Sequence, residues 1–148
     1  SMLNRWVEKE LLDELQRVGA GCIAFSPLAQ GLLTPKYLGG VPEDSRAETA
    51  SQFFRKASYL TDENLHRVRE LNRIAKERGQ SLPQMALAWC LRDPRITSVL
   101  IGASRPEQIE ENLGALASPA FSEEELAAIE AYAKEGGVNL WAPSSEVP

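Results

Sequence analysis

The segment with the clearest chemical potential is "SVLIGASRPEQIEEN", residues 98–112, where an apolar run ends at a glycine and a helical pattern follows. Arg105 places a fixed positive charge beside the free N–H groups of a first helical turn, which suits a phosphate. The same residues also suit an ordinary helix start, because Ser104 and Glu107 have capping-box spacing and Pro106 is favoured in a first turn. Spacing alone leaves the two interpretations equally open.

Three polar residues share one face of this predicted helix. Gln108, Glu111 and Asn112 stand at i, i+3 and i+4, a spacing that places them side by side. Beside a phosphate they could hydrogen-bond a sugar or the edge of a base. The core-facing side of the helix is predicted to consist of Ile109, Leu113 and Leu116.

A second stretch, "FSPLAQGLLTPKY" at residues 25–37, follows an apolar run and combines an aromatic ring with polar and cationic groups. Ligands of parallel α/β folds bind at the carboxyl ends of strands, where the loops converge. Phe25 offers a flat apolar face, and Lys36 and the more distant Arg46 offer charges for a phosphate. The alternative is a strand exit with a polar loop and solvated cations.

The elements that would position these residues form an α/β pattern. The segments "AGCIAF" and "ITSVLIG" are almost continuously apolar, which predicts parallel strands covered by helices on both faces. A long loop is predicted at about 29–60. The helical patterns cover residues 7–18, 61–79, 81–92, about 105–116, and a last segment from 122. Two strands cannot form a covered sheet alone, so we expect another chain, or further residues of a longer protein, to complete it.

Composition excludes several classes of function. The chain has 148 residues, 43% hydrophobic and 25% charged, with a net charge of -5, so a globular domain is expected and nucleic acid or an anionic membrane is not an expected partner. No apolar run approaches the about 20 residues of a membrane span, and no leader pattern opens the chain. Cys22 and Cys90 lie in apolar runs and are predicted to be buried free thiols, which suits a reducing cytoplasm.

No catalytic group or metal site is predicted in this chain. The one histidine, His66, lies at a helical spacing typical of an exposed residue, and no Cys, His or carboxylate cluster has metal-ligand spacing. No nucleophile stands beside a base. Binding of an anionic ligand and a purely structural role for these stretches therefore both stay open at this point.

The strings "AFSPLAQGLLTPKY", "DSR", "ALAWCLRD" and "SVLIGASRPEQIEEN" closely resemble the cofactor-binding C-terminal half of aldo-keto reductases. The resemblance covers essentially all 148 residues and is nearest to the branch that contains potassium-channel β subunits and related bacterial reductases. It implies a (β/α)8 TIM barrel, of which residues 1–148 form the C-terminal part with about two strands. It also implies NADPH as cofactor and an aldehyde or ketone as substrate.

The resemblance assigns the cofactor residues position by position. Phe25 matches the aromatic residue against the nicotinamide. The pyrophosphate loop matches Ser26, Pro27, Leu28, Gln30 and Gly31, and its cationic contacts match Lys36 and Arg46. The residues around the 2′-phosphate match Gly102, Ser104 and Arg105, and those around the adenosine match Gln108, Glu111 and Asn112.

The family's catalytic Asp, Tyr, Lys and His come from the first half of the barrel, and this chain has no counterpart of them. Three hypotheses follow. The chain is the NADPH-binding portion of a reductase that needs the N-terminal part of the barrel, it belongs to an NADPH-sensing regulatory subunit, or it is an inactive half-barrel that associates with further copies of itself.

Overall fold

A computed structural model describes residues 1–41 and 59–139. Within these ranges, helices flank a two-stranded sheet. The helices are α1 (Leu11–Arg17), α2 (Asp62–Glu77), α3 (Leu82–Leu91), α4 (Pro106–Leu113) and α5 (Glu123–Glu130), and the strands are β1 (Cys22–Phe25) and β2 (Ile96–Leu100). Single 3-10 turns lie at Trp6–Glu8, Ala29–Gly31, Pro35–Tyr37 and Gly114–Ala117. The described part of the predicted long loop, up to residue 41, thus contains two such turns.

The two strands pair in parallel, as the sequence predicts. Phe25 lies opposite Leu100, so both strands end at the same edge of the sheet. The register is irregular after Cys22, where the Thr97 Oγ1 accepts a hydrogen bond of 3.2 Å from the Cys22 backbone N–H.

A glycine is required at position 21 because the Thr97 side chain leaves no room for a Cβ atom there. A Cβ atom at Gly21 would lie 2.4 Å from the Thr97 Oγ1. We therefore expect Gly21→Ala to lower the free energy of unfolding by about 1–2 kcal/mol, since Thr97 must rotate away from Cys22. Urea denaturation of the full-length protein measures the change. In a Thr97→Ala background the same substitution should cost much less, and an equal cost in both backgrounds would contradict this explanation.

The helices α2 and α3 form the centre of the core, in agreement with their sequence patterns. α2 buries one apolar stripe, which includes Val68, Leu71 and Ala75. α3 is buried on nearly every side. It begins at a capping box in which the Ser81 N–H donates to the Gln84 Oε1 over 3.0 Å and the Gln84 N–H donates to the Ser81 Oγ over 3.4 Å.

The Arg78 side chain fastens the segment before α5 to the end of α2. It is 4% exposed, and its guanidinium lies 3.8 Å from the centre of the Phe121 ring. It donates to the backbone oxygens of Ser118 and Ala120 and pairs with Glu125 at 2.6 Å. Glu125 also completes the predicted capping box of α5 by accepting from the Ser122 N–H over 2.7 Å.

Three predictions about burial are wrong within the described residues: the cover on both faces of the sheet, the burial of Cys22, and the core-facing side of α4. The sheet is not covered on both faces: Ile23, Phe25 and Leu100 are 67%, 59% and 62% exposed, and Cys22 is only half-buried. Likewise Ile109, Leu113 and Leu116, predicted to face the core, are 47%, 58% and 60% exposed, whereas Asn112 on the same helix is buried. In both places no second layer of the described structure packs against the apolar side chains.

The expectations for Cys90 and His66 agree with the structure. Cys90 is a buried free thiol, and burial raises its pKa. His66 is exposed, with its ring edge-on to Tyr132. Among residues 1–41 and 59–139 no helix has the length and apolar character needed to cross a membrane, and no group of three or more potential metal ligands occurs.

Candidate functional site

The parallel register brings the two candidate stretches to one end of the sheet. Because Phe25 and Leu100 are partners in the last pair of the ladder, the loop that begins at Ser26 and the turn that begins at Ile101 leave the same edge side by side. This is the edge at which parallel α/β folds bind ligands.

The loop after β1 has an unusual backbone. Ser26, Ala29 and Gln30 have φ angles of 52°, 48° and 59°, in the left-handed region that residues other than glycine rarely adopt, and Gly31 has a φ of 92°. The Gln30 Nε2 donates to the Ser26 Oγ over 3.2 Å and closes the loop. Such strain is concentrated at functional sites. Sequence inspection did not single out Ala29, because alanine carries no turn signal.

The Phe25 ring is available to a ligand. It is 59% exposed and borders an open cavity of about 470 Å³. The cavity is lined by apolar residues such as Trp6 and Ile23, together with Ser26 and Gln30 from the strained loop. A planar group lying against Phe25 would therefore have polar partners at one side.

The other residues of this loop divide into structural and exposed ones. Pro27 is buried and Leu28 packs against the core, so both hold the loop rather than offering polar groups. Lys36 is exposed, and its turn is capped by the Thr34 Oγ1, which accepts from the Lys36 N–H over 3.2 Å. Arg46 lies outside the described residues.

The start of α4 differs from the predicted capping box. Arg105, not Ser104, is the N-cap, and Gln108 takes the place predicted for Glu107. The Gln108 Oε1 accepts from the backbone N–H groups of Ser104 at 2.8 Å and Arg105 at 3.3 Å. The reciprocal bond cannot form, since an arginine side chain has no acceptor. The Gln108 side chain therefore already satisfies both of these N–H groups.

Arg105 carries an uncompensated charge in the described structure. Its side chain is exposed, as are Gly102 and Ser104, and it forms no ion pair within residues 1–41 and 59–139. By contrast, Arg5, Arg78 and Arg95 each pair with carboxylates. A charge held at a helix start without a carboxylate partner can bind an anionic ligand.

Asn112 is a buried residue whose side-chain amide has no hydrogen-bond partner among the described residues. The residue is 8% exposed, and its side chain makes no hydrogen bond to another described residue. Glu111, its neighbour, is exposed, and Gln108 is half-buried. The amide atoms of Asn112 are not among the buried unsatisfied groups of the described residues, so they reach solvent and can hydrogen-bond a ligand beside α4.

Comparison with known proteins identifies the relatives of this chain. The model of the family described as "Aldo/keto reductase family" matches residues 1–134. An L-glyceraldehyde 3-phosphate reductase of Escherichia coli O157:H7 is 56% identical over 99% of this chain and 43% of its own length, and that of Escherichia coli strain K12 is 55% identical with the same coverage. The chain thus spans less than half the length of these curated relatives.

A solved structure agrees with this result. The crystal structure of a thermostable aldo-keto reductase, Tm1743, with the inhibitor epalrestat superposes with a TM-score of 0.57 at 26% identity, covering 88% of this chain and 36% of the other. The fold class predicted from the sequence is therefore confirmed: two parallel strands with flanking helices, as in part of a TIM barrel. By the family match and the similarity to these reductases, the chain belongs to the aldo/keto reductase family.

Proposed function

We propose that this chain is the NADPH-binding, C-terminal part of a barrel enzyme that reduces an aldehyde or ketone to an alcohol. The observation that carries the proposal is the parallel pairing of Phe25 with Leu100, because it directs the Phe25 loop and the Arg105 helix start to one edge. The two halves of a dinucleotide could be held there together.

The residues present fit this cofactor. The exposed Phe25 ring offers a face to the nicotinamide, and the left-handed loop at Ser26 and Gln30 lies where a pyrophosphate would follow. Arg105 would hold the 2′-phosphate. The side-chain amide of Asn112, which has no hydrogen-bond partner among the described residues, would form hydrogen bonds with the adenosine. Lys36 and Arg46 are proposed as further phosphate contacts. Gly102 and Ser104 are proposed beside Arg105 at the 2′-phosphate, and Gln108 and Glu111 beside Asn112 at the adenosine.

NADPH when bound supplies the hydride for carbonyl reduction, and this chain supplies the surface that orients it. The acid that protonates the carbonyl oxygen is expected from residues beyond this chain, which matches 43% of its relatives' length. That remaining part of the barrel is the proposed partner. The proposed substrate class is a small aldehyde, because the curated relatives are named L-glyceraldehyde 3-phosphate reductase. A reducing cytoplasmic location is proposed from the two free cysteines.

Replacing Phe25 tests the nicotinamide end of the site. In the full-length protein we expect Phe25→Ala to raise the Kd for NADPH about twofold to tenfold, because a ring stacked on an aromatic face contributes about 0.5–1.5 kcal/mol beyond the area it buries. Titration of NADPH fluorescence measures the Kd. The control Phe25→Tyr keeps the ring and should bind normally. Wild-type affinity in Phe25→Ala would contradict the assignment, and absence of carbonyl turnover in a protein that binds NADPH would favour the sensor hypothesis.

A further inference from the structure

One side chain links the core helix α3 to the helix that carries the proposed adenosine contacts. The Gln84 Oε1 accepts from the Ser81 N–H at the start of α3, as a capping box requires. Its Nε2 points the other way and donates to the Glu111 backbone oxygen over 2.9 Å. The Glu111 oxygen also accepts from the Gly114 backbone N–H at the end of α4, so the bond from Gln84 is a second one, and it joins α4 to the start of α3.

Gly114 makes this contact sterically feasible. A Cβ atom at Gly114 would lie 2.3 Å from the Gln84 Nε2 and 3.1 Å from its Cδ, too close for any other residue without movement of the amide. Gly114 has a φ of -58°, which every residue adopts, so the glycine is needed for the close approach and not for its backbone conformation.

Few other contacts anchor α4 in the described structure. Its apolar residues Ile109 and Leu113 are exposed, and the following turn is anchored by Ala115, which packs with Leu87 and Ala88 of α3. The hydrogen bond from Gln84 therefore acts on a helix with little apolar anchoring of its own. It acts on the backbone of Glu111, next to Asn112.

We propose that Gln84, accommodated by Gly114, is a positioning residue that sets the register of α4 against α3 and so places Glu111 and Asn112 for the adenosine end of the cofactor. This inference rests on the proposed function. Gln84 does not itself touch the cofactor; it acts through the Glu111 carbonyl.

The test separates the two bonds of Gln84 in the full-length protein. Gln84→Glu keeps an acceptor for the Ser81 N–H and removes the donor to Glu111. We expect it to raise the KM for NADPH about twofold to tenfold, the loss expected for one hydrogen bond, with kcat unchanged. Gly114→Ala should change the KM in the same direction by displacing the Gln84 amide. The matched control Ser81→Ala weakens the cap of α3 and leaves the Gln84 donor in place, so its KM should stay at the wild-type value.

Amide hydrogen exchange without cofactor gives a readout that does not depend on the proposed function. Gln84→Glu should accelerate exchange in α4 and leave α3 protected, whereas Ser81→Ala should accelerate exchange at the start of α3. If the exchange pattern appears and no variant, wild type included, binds NADPH, the proposed function fails and the role of Gln84 in placing α4 stands. Unchanged exchange in α4, or an equal rise in KM for Ser81→Ala and Gln84→Glu, would overturn the positioning role.

Discussion

Replacing Arg105 by alanine in the full-length protein is expected to raise the Kd for NADPH about tenfold to hundredfold, because a hydrogen bond to a charged group contributes about 1.5–3 kcal/mol. The guanidinium is exposed at the start of α4 and has no carboxylate partner among the described residues, so its charge is available to the 2′-phosphate. NADH lacks that phosphate, and its Kd should change by less than about threefold. Calorimetric titration with both cofactors measures the preference.

Two variants make this result specific to Arg105. Arg69, on α2, is also exposed and also without an ion pair within the described ranges, so Arg69→Ala removes the same charge from another place. It should bind NADPH as the wild type does. Arg105→Lys keeps the charge and loses the planar fork, and an intermediate Kd is expected. If Arg105→Ala retained the wild-type preference for NADPH over NADH, the 2′-phosphate assignment would be wrong.

Arg78→Ala is expected to produce the largest loss of stability, about 2–4 kcal/mol in the free energy of unfolding, because removing one partner of a sheltered ion pair leaves other polar groups unpaired. The guanidinium is 4% exposed, stacks on Phe121, and donates to the carbonyls of Ser118 and Ala120. Chemical denaturation of the full-length protein measures the loss. Arg73→Ala is the matched control, since Arg73 lies on α2, the helix that ends just before Arg78, and pairs with Glu70 and Glu77 at the surface. It should cost less than about 0.5 kcal/mol.

The pH dependence of stability gives a second readout for Arg78. The pKa of Glu125 is lowered, first by the hydrogen bond from the Ser122 backbone and further by Arg78. A lowered pKa in the folded state means that the ionised carboxyl stabilises the fold above its ordinary pKa and that this contribution is lost as the pH falls. In Arg78→Ala the pKa of Glu125 rises towards its ordinary value, so stability should fall less steeply below about pH 4.5. If the free energy of unfolding fell with decreasing pH as steeply in Arg78→Ala as in the wild type, Arg78 would not lower the pKa of Glu125.

Much of the fold could be predicted from local sequence signals. The capping boxes at Ser81 and Ser122 have the predicted partners, and the apolar stripe of α2 is buried as its spacing indicates. The parallel pairing of the two strands followed from their continuous apolar character. The caps and the apolar stripe depend on residues within about one or two helical turns of each other, and local spacing is sufficient for such contacts. The strand pairing joins distant segments, and it was indicated by the apolar character of each strand by itself.

Burial on α4 could not be predicted in this way. Helical spacing assigned Ile109, Leu113 and Leu116 to the core, and the structure buries Asn112 and exposes those three. Spacing shows which residues share a face of a helix, but it does not show what packs against that face. The same limit explains Ile23 and Phe25, whose exposed face on β1 has no covering layer in the described residues.

The candidate site combines both kinds of information. The residue types that suit a dinucleotide, an aromatic ring at Phe25 and an arginine at a helix start, are visible in the sequence, and the family resemblance that they support is confirmed. Three further features were decided by tertiary structure. They are the left-handed backbone at Ala29, the Asn112 amide that has no hydrogen-bond partner among the described residues, and the hydrogen bond from Gln84 to the Glu111 oxygen. Each depends on groups brought together by the packing of separate segments or on a backbone conformation that the side chain does not favour. A side chain's type sets what it can bind, and packing decides what it is left free to bind.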